Sequence, residues 1–312
     1  MSAKRILIIG RMSMSLIMNM YKVPDLGETL VDDGGVAYVP GGEGAGSAMA
    51  FAKLGADPIL AGKIGADAHG QRLYKFYKDA GINTSMIKVD REEPTALSVT
   101  MRDASGERTL LYPGASAKYT PENIAEAMSL APDALYLGFG IPFNIVLLAA
   151  RAASSRGIPI FVDASPALTD QPLDTLPEVE IFSPNDDETF AYTGIMPQSV
   201  DSSLRAALAL RKKVKAKYIV IKQGERGAFI YDGKKYFLIG SAKAGKTVDT
   251  TCAGDAFTAA MTLEYLRCGD IRTAVRFGVA AGAITVTKEG TFGSIPTDKE
   301  IRDFMLNTGF GY

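Results

Sequence analysis

Histidine and cysteine are scarce in this chain: 312 residues hold one histidine, His69, and two cysteines, Cys252 and Cys268. That excludes a metal site built on several histidines, and the two cysteines supply neither a disulfide framework nor a metal-binding spacing. An excess of one charge is missing as well. Lys plus Arg number 34 against 35 acidic residues, with no basic run, so no nucleic-acid partner is expected. Long apolar runs are also absent. The stretch GVAAGAITV falls far below the roughly 20 residues that a bilayer span requires, and the apolar run in MSAKRILIIGRMS is too short for a signal sequence. A cytoplasmic protein without membrane contact is the expectation. No Pro/Gly/Ser linker and no repeat interrupts the sequence, so residues 1–312 are expected to form a single domain around one large core.

What is present is a rhythm. Short β-rich runs alternate with helix-length amphipathic stretches: RILIIG, GSAMAFAKLGA, DPILAGKIG and HGQRLYKFYKDAG open the chain as strand, helix, strand and helix. The rhythm breaks at TALSVTMRDASGERTLLYPG, where two strands flank DASGE as a hairpin. It resumes from DALYLGFG through KYIVIKQG. The pattern predicts an α/β fold with a mostly parallel central sheet, helices on both faces and a small β excursion. Ligands of such sheets bind at the carboxyl ends of the strands.

Two segments compete for a phosphate. GSAKAGKT (residues 240–247) matches the phosphate-loop pattern at every fixed position. Its context argues against it, because a working phosphate loop runs directly into a helix, and here the β-branched KTVDTT follows. The next segment, DTTCAGDAF, reads differently. A helix beginning near Cys252 or Ala253 would present the backbone amides of Cys252, Ala253, Gly254 and Asp255 at its positive end. The Asp255 carboxylate would then stand beside any anion held there, the layout of a base next to a transferring phosphoryl group. The bland alternative is a first-turn acid capped by Thr250 or Thr251. In SPNDDE, Asn185 and Glu188 lie three apart at a helix start, which suits a hydrated Mg²⁺ and equally a capping box.

DTTCAGDAF resembles the signature of the ribokinase-like (pfkB) carbohydrate kinase family, and the resemblance runs along the chain through VPGGEGAGSAMAFAKLGA, GKIGADAHGQRL, SPNDDE and IKQGERGAFI. It implies an ATP-dependent sugar or nucleoside kinase with Asp255 as catalytic base and Cys252, Ala253 and Gly254 in the anion hole. It further implies Asn185, Lys222, Gly224 and Gly227 at the nucleotide, and Asn185 with Glu188 organising Mg²⁺ through water. K⁺ would be held at Asp249, Thr251, Thr285, Lys288, Gly290 and Ser294. Segments of about 14–40 and 95–113 resemble the family's β lid, through which a homodimer would form. The acceptor would meet Ser13, Ser15, Gly41, Gly42, Glu43, Gly46 and Gly140.

That acceptor set departs from the family's ribose-binding pattern. Ser13 and Ser15 stand for its Asn and Asp, Glu43 and Gly46 for its Lys and Asn, and Gly140 for its Glu. The smaller side chains imply a roomier pocket with fewer hydroxyl partners, and Glu43 a preference for a nucleoside-like or amino-bearing acceptor over free ribose. Met12, Met14, Met18 and Met20 alternate in the same segment, as adaptable acceptor contacts or as strand core. Two rival classes make different demands on the sequence. A dinucleotide oxidoreductase would need GGEGAGS to carry a third glycine and to follow the first strand. A noncatalytic nucleotide- or sugar-binding protein on a kinase fold would keep Asp255 and lose the acceptor pocket.

Overall fold

The computed structural model describes residues 3–103, 108–111, 119–167, 169–290 and 292–311. The expected DASGE turn and the end of the second lid segment lie largely outside the described residues.

The chain opens with β1 (Arg5–Ile9), rises into β2 (Ser13–Asn19) and β3 (Val36–Gly41), and returns through helix α1 (Glu43–Lys53) to β4 (Asp57–Gly65), α2 (Ala68–Asp79) and β5 (Ile87–Asp90). Strands β6 (Leu97–Arg102) and β7 (Arg108–Leu111) form the expected antiparallel pair. Alternation then resumes with α3 (Pro121–Ser129), β8 (Ala134–Leu137), α4 (Phe143–Ser154), β9 (Ile160–Asp163), β10 (Val179–Ser183), α5 (Asp186–Thr193), α6 (Val200–Lys213) and β11 (Ala216–Lys222). Strands β12 (Ala228–Tyr231) and β13 (Tyr236–Ile239) precede α7 (Ala253–Cys268), α8 (Ile271–Thr285) and α9 (Asp298–Thr308).

The main sheet has nine strands in the order β13-β12-β11-β10-β9-β8-β1-β4-β5. From β11 to β5 every pairing is parallel, and only β12 and β13 run antiparallel at one edge. A parallel strand covered on both faces must be apolar throughout, which explains RILII: Ile6 and Ile8 pack into the core under α1, α2, α7 and α8, while Leu7 and Ile9 pack under α3, α4 and α6. Because β1 pairs with β4 on one side and β8 on the other, the chain reverses direction there, and crevices open at such switch points.

A second sheet, β3-β2-β6-β7, stands beyond the carboxyl end of β1. It is mixed: β2 runs parallel to β6, and its other pairings are antiparallel. Among the described residues no helix is long and apolar enough to cross a membrane.

Candidate active site

One cavity of about 1240 Å³ runs along the carboxyl ends of the central strands, roofed by Ser15, Ile17, Thr100 and Arg102 of the second sheet and floored by Asp163, Lys222 and the start of α7. Its geometry around α7 separates the two phosphate-like segments. Residues 240–247 form a loop with no helix after Lys246 and Thr247, and Lys246 is exposed. The helix starts at Ala253, with Cys252 as its N-cap in the left-handed conformation, φ 62°. That conformation costs a non-glycine residue roughly 1 kcal/mol, and such strain concentrates at functional sites.

Asp249 organises the turn before the helix. Its carboxylate accepts from the Thr251 N–H at 2.8 Å and from the Gly290 N–H at 3.4 Å, while Val248 and Asp249 both donate to the Val286 carbonyl. The expected anion hole needs one correction. The Ala253 N–H already donates to the Thr250 carbonyl at 3.2 Å, because the left-handed Cys252 closes a turn there. Gly254 and Asp255 lie in the first turn, whose N–H groups have no acceptor within the helix. The positions expected around K⁺ do converge: the turn from Asp249 to Thr251 meets the end of α8 and the Lys288–Gly290 loop. The Thr285 carbonyl there accepts the Lys288 N–H, and Ser294 is fully buried between Gly293 and Ile295, whose carbonyls the Lys53 ammonium binds at 3.2 and 2.8 Å.

Asp255 stands in the cavity wall, its carboxylate toward α1. Its Oδ2 lies 2.4 Å from where a Cβ on Gly46 would stand, so only glycine fits beneath it, and Ser47 Oγ donates to its Oδ1 at 3.2 Å. Burial, reinforced by the charge of Asp163, pushes the Asp255 carboxyl up to about 7, against the opposing pull of Lys222. Facing it, the Lys222 ammonium donates to both oxygens of Asp163 at 2.9 and 3.1 Å, and Thr258 Oγ1, from α7, donates to Asp163 Oδ2 at 2.9 Å. Burial acts to lower the Lys222 pKa, but Asp163 and Glu188 outweigh it and raise it. The ammonium also lies 3.9 Å from where a Cβ on Gly254 would stand, beside the helix start.

Asn185 and Glu188 bear out the capping-box reading of SPNDDE. They form a capping box, with the Glu188 N–H donating to Asn185 Oδ1 at 2.8 Å and the Asn185 N–H to Glu188 Oε2 at 2.7 Å, and both also line the cavity. Burial raises the Glu188 pKa, partly offset by Lys222. Gly224 and Gly227 line the same end, in the turn joining β11 to β12.

At the other end the expected acceptor residues divide. Ser15, Gly41, Gly42, Glu43 and Gly46 line the cavity, whereas Ser13 and Gly140 do not. Ser13 is buried behind Gly41, its strand partner, and Ser15 Oγ hydrogen-bonds Ser98 Oγ at 2.8 Å. Gly42 has φ 96° and its Cβ would lie 2.3 Å from the Arg11 carbonyl, so the backbone turn into α1 requires glycine. The expected gain in volume is overturned. The space before Gly46 is taken by Asp255, and a Cβ on Gly140 would lie 2.0 to 2.3 Å from the carboxylate atoms of Glu43. Nor does Glu43 stand as a lone negative charge, since it accepts the Arg11 N–H at 2.8 Å and lies 3.2 Å from the Arg11 guanidinium. Of the alternating methionines, Met12 and Met14 pack into the core, and the cavity-facing side of β2 is that of Ser15 and Ile17.

Three residues of this centre were missed at the level of sequence: Asp163, Thr258 and Arg11. Asp163 left a trace, as a carboxylate closing the apolar run IPIFVD at the ligand-binding end of a parallel strand. Thr258 and Arg11 left none, for a threonine inside a helix and an arginine after a strand are commonplace.

A switch-point cavity holding a buried carboxylate beside a helix start and an ammonium is the arrangement of an α/β phosphotransferase. Over residues 3–298 the chain matches the pfkB family carbohydrate kinase model, and it belongs to that family. It is 31% identical to the ribokinase of Bacillus subtilis, covering 97% of this chain and 99% of that one, and 29% identical to the ribokinase of Haemophilus influenzae, covering 97% and 98%. The structure of Arabidopsis thaliana ribokinase complexed with ribose and ATP superposes with a TM-score of 0.83 at 25% identity, covering 97% of this chain and 99% of that one.

Proposed function

We propose that the protein transfers the γ-phosphoryl group of ATP to an alcohol of a sugar or nucleoside, with Asp255 as the base. The observation that carries this reading is the place of Asp255: it lies in the first turn of α7, between the glycine-rich start of α1 and the Lys222 ammonium. An alcohol held in the cavity beside the Asp255 carboxylate would offer its proton to it, while the amides of Gly254 and Asp255 and the Lys222 ammonium meet charge developing on the transferred group. A carboxyl poised near neutrality suits a base that must take up a proton and release it.

The ion requirements follow from the same charges. Asp163, Glu188 and Asp255 crowd around one ammonium, an excess of negative charge that favours a divalent cation. Among the described residues no cluster of three or more acidic, histidine or cysteine side chains is arranged to grip a metal directly, so Mg²⁺ would be held through water by Asn185 and Glu188, as its reluctance to dehydrate favours. Bound there with ATP, Mg²⁺ would neutralise phosphate charge. K⁺ would sit among the loops at Asp249, Thr251, Thr285, Lys288, Gly290 and Ser294 and stiffen the turn into α7. The second sheet would act as the lid, a reading supported by Ser15, Ile17, Thr100 and Arg102 facing the cavity. Its exposed Val36, Tyr38 and Leu111 favour a homodimer through that sheet.

The alternative is a noncatalytic binding protein with a kinase fold. ADP release, measured with ATP and Mg²⁺ over a panel of neutral sugars, amino sugars, nucleosides and sugar acids, decides between them. Turnover dependent on one acceptor class is the expected result, and binding without ADP release from any acceptor would overturn the proposal.

A further inference from the structure

The route of Glu43 through the molecule is unusual for a charged side chain. Its Cγ passes 2.8 Å from where a Cβ on Gly138 would stand, and its carboxylate fills the place of any side chain on Gly140. The Arg11 N–H and guanidinium hold it from behind. The carboxylate is buried, which raises its pKa against the pull of Arg11, yet it lines the cavity wall. Its Oε2 is sealed from solvent, 3.2 Å from the guanidinium, while 15% of the side chain stays exposed in the cavity wall. The Oε1 that accepts the Arg11 N–H keeps a second lone pair, which a donor brought by a ligand can meet.

We infer that Glu43 is the specificity-determining carboxylate of the acceptor pocket, supplied by α1 into the space over Gly140 and held by Arg11, where it accepts a hydrogen bond from a hydroxyl of an uncharged sugar. This rests on the kinase reading above and goes beyond it in naming the acceptor's chemistry. Arg11 already balances the charge of Glu43, so the pair rewards a neutral donor and offers an ammonium little further attraction. Gly138 and Gly140 are part of the device, because either with a side chain would evict the carboxylate.

The proposal makes the source of the carboxylate interchangeable. Glu43→Gln should weaken a neutral sugar roughly 10- to 100-fold, the scale of a hydrogen bond to a charged group, in KM for the acceptor and in direct calorimetric binding, with KM for ATP little changed. Gly140→Ala should weaken the sugar similarly by displacing Glu43, and should add almost nothing in a Glu43→Ala background. The double variant Glu43→Ala with Gly140→Glu, which returns a carboxylate to the same space from the other element, should recover at least part of the loss. Melting temperature and ATP affinity report on folding for every variant. Glu43→Gln with unchanged sugar affinity, or losses from Glu43→Ala and Gly140→Ala that simply add, would overturn the inference while leaving the kinase reading intact. Preferential binding of amino-bearing acceptors that Glu43→Gln abolishes would overturn its neutral-sugar part. A wild-type protein that releases no ADP and binds no acceptor would instead remove the kinase reading and this inference with it.

Discussion

The two ends of the cavity are built on different plans. At the α7 end the working groups are neighbours in sequence or stand at strand ends: Cys252 to Asp255 form one turn, Asn185 and Glu188 one capping box, and Lys222 ends β11. At the other end the Glu43 carboxylate comes from α1, its counter-charge from Arg11 after β1, and its space from Gly138 and Gly140 after β8. Groups within one turn keep their geometry through the backbone alone. Groups drawn from separate elements, Glu43 with Arg11 and Gly140 at one end and Lys222 with Asp163 at the other, keep it only if each leaves room for or balances its partners, so a change in one demands a compensating partner.

The comparison breaks most sharply at Asp255. Asp255→Asn should lower kcat by roughly a hundredfold or more, the scale of general-base loss, with ATP binding nearly intact. Turnover close to wild type would remove Asp255 from the mechanism. In the wild-type protein, kcat/KM should climb as pH rises toward about 7, where the carboxyl ionises, and that limb should vanish in the variant. Stability supplies an independent check with a definite sign. A carboxyl whose folded pKa is raised binds a proton in the folded state that the unfolded chain has lost, so its ionisation destabilises the fold increasingly from about pH 4 to about 7. The melting temperature of Asp255→Asn relative to wild type should therefore rise across that window, and a constant offset would show that the carboxyl is not perturbed.

Next in size is Lys222. Its removal leaves Asp163 buried without its cation, and breaking such a pair typically costs about 3–5 kcal/mol. Lys222→Met should therefore lower both the melting temperature and kcat. The double variant Lys222→Met with Asp163→Asn should regain most of the stability but not the activity, since the ammonium beside Gly254 is still gone. Recovery of both would make the pair purely structural.

These contrasts also explain what could be read before any coordinates. The strand-helix alternation, the start of α7 at Ala253 and the interruption by a small sheet were legible because each depends on local periodicity and turn chemistry. The place of Asp255 in the first turn of α7 was legible for the same reason, whereas its contacts with Gly46 and Ser47 of α1 were not. The consequence of replacing a larger side chain by Gly140 was not legible, because volume lost at one position is refilled by Glu43 almost a hundred residues earlier in the chain. The pairing of Glu43 with Arg11 was hidden likewise, since nothing local distinguishes that arginine from a solvated one. The capping box at Asn185 shows a third case, where one spacing serves the helix and the cavity together.

A monovalent cation should have a smaller effect, several-fold at most. The loops at Asp249 and Gly290 are already tied by hydrogen bonds, and the Lys53 ammonium holds the carbonyls of Gly293 and Ile295, so an added K⁺ would refine the turn into α7 rather than create it. Replacing K⁺ by Na⁺ should lower kcat modestly. Lys53→Met, which frees the Gly293–Ile295 stretch, should make the dependence steeper, and indifference of both proteins to every monovalent cation would exclude an ion there.

The smallest effect belongs to the phosphate-loop look-alike. Lys246 lies exposed in the loop between β13 and α7, and no helix follows it to align amides on a phosphate, so its ammonium contributes only a screened charge to the nucleotide's approach. Lys246→Ala should change KM for ATP less than about twofold, within the range of a surface charge. Gly245 is more constrained, with φ 158° and Thr287 lying 3.2 Å from the place of a Cβ, so Gly245→Ala should be the more costly of the two by its effect on the backbone. The opposite ranking, with ATP binding abolished by Lys246→Ala and spared by Gly245→Ala, would move the phosphate site from the start of α7 to this loop and dissolve the contrast between the two ends of the cavity.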